Sequence, residues 1–202
     1  MSTWHIGVIF SSVFLGLFVF LEYSVRRVNA NREITRRIAH VLSSLFGLAM
    51  GIVLDETTFI VMCLFFLAVI TVSFSTRYFS FIHNVRRKTY GELLLPLGIL
   101  LTYLVAQDTT QIFSVSVLIL AIADPIAGIV GDLSYRVYAL RTSVFYILAL
   151  SVLLIMFPPS QYGVALLVAL IITIVERLSP YGTDNLTIPF SCSVLLKLLL
   201  QS

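Results

Sequence analysis

The sequence predicts an all-α, polytopic membrane protein, a single transmembrane domain of seven or eight helices over residues 1–202. Hydrophobic residues make up 59% of the chain and charged residues 11%, and the mean hydropathy is +1.02. Soluble domains carry about 25% charged residues. Apolar runs close to the length of a membrane crossing recur along the whole chain. Every span is predicted to be helical, because open sheets cannot satisfy their edge groups in lipid.

The lengths of the apolar segments, and the polar residues that separate them, divide the chain into eight predicted spans. They run near residues 4–22, 38–54, 58–75, 93–106, 111–134, 143–157, 162–176 and 186–200. Pro96, Pro125 and Pro189 predict breaks within three of them. Several spans are short for a full crossing, which predicts a thin or partly filled membrane core. The Phe-rich faces of the first and third spans are expected to contact lipid, and Cys63 and Cys192 to be small buried hydrophobes.

The connections between the spans differ in charge. Twelve of the thirteen Lys and Arg residues lie in the first, third, fifth and seventh connections, and the other three connections carry none. The positive-inside rule makes the basic side cytoplasmic and leaves both termini outside. Lys197 lies within the last span and is expected to extend towards the interface. This asymmetry predicts an anionic lipid or a phosphorylated ligand at the cytoplasmic face and no nucleic-acid partner.

Asp124 departs most clearly from the apolar pattern, because it interrupts the hydrophobic run of the fifth span. An ionised Asp at the centre of a membrane helix costs roughly 3 kcal/mol, so it normally faces a partner, a cavity or a cation. Pro125 weakens the helix beside it, and Gly128 and Gly131 remove side chains from the next turns. Packing through small residues explains the glycines but not Asp124. A carboxylate beside backbone that carries no side chains indicates a binding site for a metal ion and a phosphate group.

A polar stripe begins the second span. Its members recur every three or four residues, so a helix aligns them on one face: Glu33, Arg37, His40, Ser44 and Gly47. Such a stripe on a membrane helix should face the protein interior. Headgroup anchoring explains the arginines taken alone, but the whole stripe favours a functional site.

Two further polar clusters lie on the same predicted side. One begins with three cations, Arg86, Arg87 and Lys88. These cations suit phosphate neutralisation, and they equally suit a topology signal. Glu92 then opens an apolar helix, where it is either functional or a headgroup-level partner of the cations. The other cluster contains Glu176 and the pair Asp184 and Asn185, for which helix capping is the alternative to a functional role.

Together the four clusters predict an active-site face built from residues 31–47, 86–98, 124–132 and 176–189. Phosphoryl transfer to a lipid needs this inventory of side chains. Acids hold Mg²⁺, cations offset phosphate charge, and one acid accepts the proton of the attacking hydroxyl. The Gly-x-x-x-x-Gly-Lys-Ser/Thr loop and the motifs of soluble kinases are absent from the sequence.

Four stretches carry a resemblance to a known family. They are Glu33-x-Thr35-Arg36-Arg37-x-x-His40 with Gly47, Arg86-Arg87-x-x-Tyr90-Gly91-Glu92 with Pro96-Leu97-Gly98, Asp124-Pro125-x-Ala127-Gly128-x-x-Gly131, and Glu176 with Asp184-Asn185-Leu186-Thr187-x-Pro189. In them the chain resembles the dolichol kinase, phytol kinase and CTP-dependent diacylglycerol kinase family, within a broader phosphatidate cytidylyltransferase-like group. The resemblance implies transfer of the γ-phosphate of CTP, with Mg²⁺, to the hydroxyl of a membrane lipid at the cytoplasmic face. The acceptor would be a polyprenol or dolichol, a phytol-like isoprenoid or diacylglycerol.

The resemblance also implies roles for individual residues. Catalysis and Mg²⁺ binding are assigned to Asp124, Glu92 and Asp184, and the identity of the general base among them stays open. The nucleotide and its phosphates would be bound by a larger set: Arg36, Arg37, His40, Arg86, Arg87, Lys88, Gly128, Gly131 and Asn185. Glu33 and Glu176 would support these residues.

Two other functions stay open from the sequence. A cytidylyltransferase would attach CMP to a lipid phosphate, but the Lys-Arg-x-x-x-x-Lys-Asp run and the His-Gly-Gly and Asp-Arg ending of that sister family are absent. A small proton- or cation-coupled transporter would need acids near the bilayer midplane, and the clustering at one boundary argues against it. The expected partners are a membrane lipid and a nucleotide, with homodimerisation left open. Small size without an appended domain favours a prokaryotic plasma membrane.

Overall fold

The computed structural model describes residues 3–27, 31–76, 90–107, 109–133 and 138–200. Within these ranges the chain forms eight α-helices and no strand. The helices are α1 (Thr3–Arg27), α2 (Arg32–Val53), α3 (Glu56–Thr76), α4 (Gly91–Val105), α5 (Thr110–Leu133), α6 (Tyr138–Met156), α7 (Tyr162–Leu178) and α8 (Asp184–Leu200). A short 3-10 turn, Pro159–Gln161, leads into α7. Each predicted span corresponds to one helix, and the predicted all-α membrane bundle is confirmed.

Six of these helices are long and apolar enough to cross a membrane: α1, α2, α3, α5, α6 and α7 with its preceding turn. The other two are shorter, with 15 residues in α4 and 17 in α8. At 1.5 Å per residue these two helices span roughly 22 and 26 Å, against a hydrocarbon core of about 30 Å. The short spans expected from the sequence are therefore found in α4 and α8.

α5 lies at the centre of the described bundle and packs against α2, α6 and α8. Most of its residues before Ile129 are buried. α4 packs closely along α8, because Gly98 faces the backbone of Asn185 and Leu186. A Cβ at Gly98 would overlap that backbone, so glycine is required for this approach. The close packing brings the starts of α4 and α8 together.

The helices continue through their interior prolines, so the breaks expected at Pro96, Pro125 and Pro189 are wrong. A proline removes one backbone N–H and leaves the carbonyl four residues earlier without its helical donor. Membrane helices tolerate this where neighbouring helices enclose the turn. Pro125 and Pro189 are both buried in the bundle, so their helices stay continuous.

α2 begins directly after Asn31, earlier than the predicted span. The Asn31 side-chain oxygen accepts hydrogen bonds from the backbone N–H groups of Glu33 and Ile34 at 3.0 and 3.3 Å. This N-cap satisfies two of the donors that a helix start leaves unpaired. Arg36 and Arg37, which precede the predicted span near residues 38–54, therefore lie inside a helix and extend from a fixed face.

One end of the bundle gathers charged groups, and we call it the charged end. It comprises the starts of α2, α4, α6 and α8 and the ends of α5 and α7. Ion pairs join these helices: Arg36 of α2 lies 3.6 Å from Glu92 of α4, and Arg141 of α6 lies 2.5 Å from Glu176 of α7. Its position at the cytoplasmic face stays a prediction of the positive-inside rule.

The opposite end of the bundle is held by helix caps. Asp55 caps α3 by accepting hydrogen bonds from the Thr58 backbone N–H at 3.1 Å and the Thr58 hydroxyl at 2.7 Å. Lys197 of α8 donates to the carbonyl oxygen of Val105 at 2.8 Å. This cation, which the sequence led us to expect at the interface, therefore satisfies a carbonyl at the end of α4.

The phenylalanines of α1 and α3 face both outwards and inwards, so the expected lipid contact holds only in part. Phe20 and Phe65 are exposed on the outer surface of the helices. Phe14, Phe18 and Phe66 are buried. The buried rings form part of a cavity wall.

Candidate functional site

A cavity of about 580 Å³ lies among the helices of the charged end. Its polar wall is built by α2, α4, α5, α6 and the start of α8: Arg36, Arg37, His40, Glu92, Asp124, Asp132, Arg141, Asp184 and Asn185. Its apolar wall comes from α1, α2, α3 and α4. Small-molecule sites have volumes of about 300–1,000 Å³. Charged side chains from five helices thus meet in a space of ligand size.

The Asp124 carboxylate borders the cavity between two basic groups. Its Oδ2 lies 3.8 Å from His40 Nε2, and its Oδ1 lies 4.0 Å from Arg141 Nη2. The ring of His40 is itself fixed, because Nε2 is 3.2 Å from the carbonyl oxygen of Leu120. The Asp124 side chain is 15% exposed, and the positive charge of Arg141 offsets part of the cost of shielding it from water. α2 and α6 therefore supply the partners expected for an intramembrane acid.

Arg37 crosses from α2 and lies along α5. Its Nη1 donates to the carbonyl oxygen of Pro125 at 3.2 Å, and its Nη2 pairs with Asp132, the last residue of the predicted segment 124–132. A methyl group at Gly128 would overlap the guanidinium. The missing side chain at Gly128 therefore allows Arg37 to lie against α5 at the cavity wall.

Arg36 links two carboxylates at the edge of the cavity. Its Nη2 lies 3.4 Å from Glu33 Oε2, and its Nη1 lies 3.6 Å from Glu92 Oε1. The Arg36 and Glu92 side chains are 24% and 15% exposed, so water screens this pair less than it screens a surface pair. The contact ties the start of α4 to α2.

Arg141 is a site residue that the sequence analysis missed, because its charge was counted only towards topology. Its Nε and Nη2 donate to Glu176 Oε1 at 2.8 and 2.5 Å, and the Glu176 side chain is 3% exposed. A Cβ at Gly131 would lie 3.0 Å from Arg141 Cδ, so the bare turn of α5 accommodates this side chain. The sequence did contain a signal, since a lone acid at the end of an apolar helix calls for a cationic partner.

The turn before α8 brings Asp184 and Asn185 to the cavity. Tyr181 and Gly182 have φ angles of 55° and 86°, in the left-handed region, and they form the turn that joins α7 to α8. The backbone N–H of Tyr90 donates to the carbonyl oxygen of Tyr181 at 2.9 Å, which fastens the turn to the start of α4. Asp184 Oδ1 accepts the backbone N–H of Asn185 at 3.0 Å. The carboxylate of Asp184 is therefore held at the cavity wall.

The structure brings together most of the predicted site residues. Eight line the cavity: Arg36, Arg37, His40, Glu92, Asp124, Gly128, Asp184 and Asn185. Three others lie behind this wall: Glu33 and Glu176 pair with its arginines, and Gly131 packs against Arg141. The predicted cations Arg86, Arg87 and Lys88 lie outside the described residues.

The carboxylates that border the cavity come from different helices. Glu92 belongs to α4, Asp124 to α5 and Asp184 to α8. Among the residues that the structure describes, no three His, Cys, Asp or Glu side chains form a group that could hold a metal ion. Cys63 and Cys192 are free and buried, as their apolar surroundings predicted.

No protein-family model, curated protein or solved structure matches the chain. The cavity and the side chains around it are therefore the structural basis for a functional assignment.

Proposed function

We propose that the protein is a CTP-dependent kinase that phosphorylates the hydroxyl of a membrane lipid alcohol at the cytoplasmic face. The observation that carries this proposal is the cavity, in which cations and carboxylates from five helices meet beside an apolar wall. A lipid kinase needs cations for a polyphosphate, acids for Mg²⁺ and for the hydroxyl proton, and an apolar surface for the lipid. The choice of CTP and of an alcohol acceptor rests on the motif resemblance.

Three arginines supply positive charge for the phosphates. Arg36, Arg37 and Arg141 border the cavity, and each is paired with a carboxylate. A guanidinium binds phosphate oxygens through parallel N–H···O bonds that are stronger than neutral hydrogen bonds. The resident carboxylates hold the arginines in position, and an incoming polyphosphate competes with them for the same N–H groups.

Three carboxylates supply negative charge: Glu92, Asp124 and Asp184. Mg²⁺ is usually bound by one or two carboxylates together with phosphate oxygens and water, so these acids fit it without a preformed group of three ligands. When bound, the ion neutralises charge that develops on the transferred phosphoryl group.

We assign Asp124 as the acceptor of the hydroxyl proton. Its carboxylate lies between His40 and Arg141 at 3.8 and 4.0 Å, beyond hydrogen-bond distance, whereas an oxygen of Asp184 already accepts the Asn185 backbone N–H at 3.0 Å. Glu92 is the nearer partner of Arg36, at 3.6 Å. As the lipid oxygen forms its bond to the γ-phosphorus, the bond from that phosphorus to the bridging oxygen breaks and CDP leaves. The hydroxyl proton passes to Asp124 and then to solvent.

The test uses the purified full chain in lipid nanodiscs with Mg²⁺ and a lipid extract that contains alcohols and phosphatidic acid. Parallel samples receive CTP labelled at the γ-phosphate or at the α-phosphate. Label that reaches lipid only from the γ-position supports the kinase, and chromatography then identifies the acceptor. Label that reaches lipid only from the α-position would mean a cytidylyltransferase and would overturn the proposal.

Paired charge variants connect the activity to the cavity. Arg36→Ala and Arg37→Ala remove cations of its wall, whereas Arg177→Ala removes an exposed cation at the end of α7. Phosphate transfer should fall in the first two variants and stay at the wild-type level in the third. A transporter would instead keep its proton or cation flux in all three, because its basic residues would serve only topology.

A further inference from the structure

The cavity extends from the charged groups into an apolar arm between α1, α2, α3 and α4. Six side chains characterise the wall of this arm: Phe14, Phe18, Phe46, Met50, Cys63 and Phe66. Phe14, Met50 and Phe66 are only 7%, 2% and 8% exposed. The arm is therefore an internal space of the bundle and not part of its outer surface.

The arm follows one face of α2 away from the charged end. Residues on this face border the cavity in the order Arg37, His40, Ser43, Gly47 and Met50. Their spacing of three or four residues keeps them aligned, and the helix rises roughly 20 Å between the first and the last of them. Gly47 leaves no side chain on this face, and a Cβ there would lie 2.7 Å from Ile99 Cδ1. The path therefore leads from phosphate-binding groups to purely apolar ones.

Three aromatic rings from three helices bound the inner part of the arm. Phe14 stacks on Phe46 with ring centroids 4.6 Å apart, and it meets Phe66 edge-on at 5.0 Å. Phe46 and Phe66 are themselves 6.4 Å apart. Aromatic pairs at these separations stabilise one another. The cluster is therefore a fixed side wall of the arm, and the cavity continues past it to Met50 and Cys63.

We propose that this arm binds the hydrocarbon chain of a single-chain lipid alcohol whose hydroxyl lies at Asp124. The position of the hydroxyl rests on the proposed function, whereas chain binding rests on the cavity alone. A lipid alcohol contacts the polar wall with its hydroxyl and the apolar wall with its hydrocarbon chain, which keeps the chain away from water. The volume of about 580 Å³ includes the charged part of the cavity, so the apolar arm has less than that volume and suits one hydrocarbon chain better than the two chains of diacylglycerol. The acceptor class is then an isoprenoid or fatty alcohol.

Photo-crosslinking tests chain binding without requiring catalysis. The probe is hexadecanol with a diazirine at its terminal carbon, added to the full chain in nanodiscs, and attachment sites are mapped by mass spectrometry. Crosslinks are expected within the arm, at residues such as Phe46, Met50, Cys63 and Phe66. Crosslinks confined to outward residues such as Val13 and Phe20, which are 64% and 62% exposed, would overturn the proposal.

Two neighbouring substitutions on α3 provide a matched control. Cys63→Phe adds a ring inside the arm, whereas Leu64→Phe adds the same ring at an exposed position. Crosslinking should fall roughly tenfold in Cys63→Phe, because a filled arm disfavours the occupant. It should stay at the wild-type level in Leu64→Phe. Equal labelling of the two variants contradicts chain binding in the arm.

Phe14→Ala provides a second test in case Cys63→Phe does not fold. Removing this ring enlarges the arm, so a docosanol probe of the same design should gain labelling relative to the hexadecanol probe. Phe20→Ala removes an exposed ring from the same helix and should leave that ratio unchanged. An unchanged ratio in Phe14→Ala would show that the cluster does not bound the chain.

Competition distinguishes one chain from two. Unlabelled hexadecanol should displace the probe, and displacement by unlabelled dioleoylglycerol would overturn the single-chain assignment. Phosphate transfer is scored separately. Crosslinking in the arm without γ-phosphate transfer would support the chain-binding site and overturn the proposed kinase activity. Transfer of the γ-phosphate with crosslinks only outside the arm would support the kinase and overturn the chain-binding site.

Discussion

Arg141 on α6 donates from Nε and Nη2 to the same oxygen of Glu176 on α7, at 2.8 and 2.5 Å. The Glu176 side chain is 3% exposed and the Arg141 side chain 32%, so the pair connects the interior of the bundle to the cavity. The same Nη2 lies 4.0 Å from Asp124. Glu176 therefore orients the cation beside the carboxylate that we assign as the proton acceptor.

Removing Glu176 should destabilise the protein. Glu176→Ala should lower the free energy of unfolding by about 2 kcal/mol, because Arg141 loses charge-assisted hydrogen bonds while it stays partly buried. Denaturant unfolding in detergent measures the change. Arg177→Ala, at the exposed neighbouring position, should stay within about 0.5 kcal/mol of the wild type. Equal stability of the two variants would show that the ion pair contributes nothing.

A methyl group at Gly128 should displace Arg37. Because the added Cβ overlaps only the flexible end of the Arg37 side chain, Gly128→Ala should change stability by less than about 1 kcal/mol, but the displaced guanidinium should weaken nucleotide binding. The matched control is Gly163→Ala on α7, where a Cβ meets no atom within 4 Å. That variant should be neutral or up to about 1 kcal/mol more stable. Denaturant unfolding and titration with CTP measure both effects, and an unchanged affinity for CTP in Gly128→Ala would contradict the role of the Arg37 position.

The positions of the helices were predictable from the sequence, because lipid imposes both a length and an apolar composition on each span. Their ends were less predictable. The start of α2 depends on the Asn31 side chain, a local contact that hydropathy does not report. The interior prolines were expected to break their helices, and the enclosure by neighbours that prevents this is a property of the packed bundle.

Most of the residues around the cavity were likewise predictable from the sequence. Asp124 and the stripe on α2 were found because a polar residue in an apolar run needs an interior partner. Arg141 was missed, because its partner Glu176 lies on another helix, far away in sequence. The distribution of Lys and Arg along the sequence predicts the side of the membrane on which a cation lies. It does not predict which carboxylate that cation pairs with.

The cap of α2 should contribute to the geometry of the site. Asn31→Ala removes the acceptor for the Glu33 and Ile34 N–H groups and should cost about 1 kcal/mol of stability. Asn31→Asp keeps an oxygen at the same place and should stay close to the wild type. Thermal unfolding of the three proteins in detergent compares them. A stable alanine variant would mean that the helix start is held by other contacts.

Stability at low pH should depend on Asp55 at the opposite end. Hydrogen bonds from Thr3 and then from Thr58 lower the pKa of the Asp55 carboxyl from its ordinary value of 3.8 to about 2. The stabilisation is therefore present above pH 3.8 and is lost as the pH falls towards about 2. Asp55→Asn cannot ionise, so the difference in Tm between wild type and variant should shrink over this window. A constant difference would contradict the shifted titration.

Transfer of the γ-phosphate from CTP to lipid, compared between the wild type and Asp124→Asn, shows directly whether the protein is a lipid kinase in which Asp124 accepts the hydroxyl proton. A general base contributes about a hundredfold or more to the rate, so the variant should lose at least that much while it remains folded. Asp55→Asn, at the far end of the bundle, should keep the wild-type rate. Equal transfer rates in the wild type and Asp124→Asn, or no transfer in the wild type, would contradict the account.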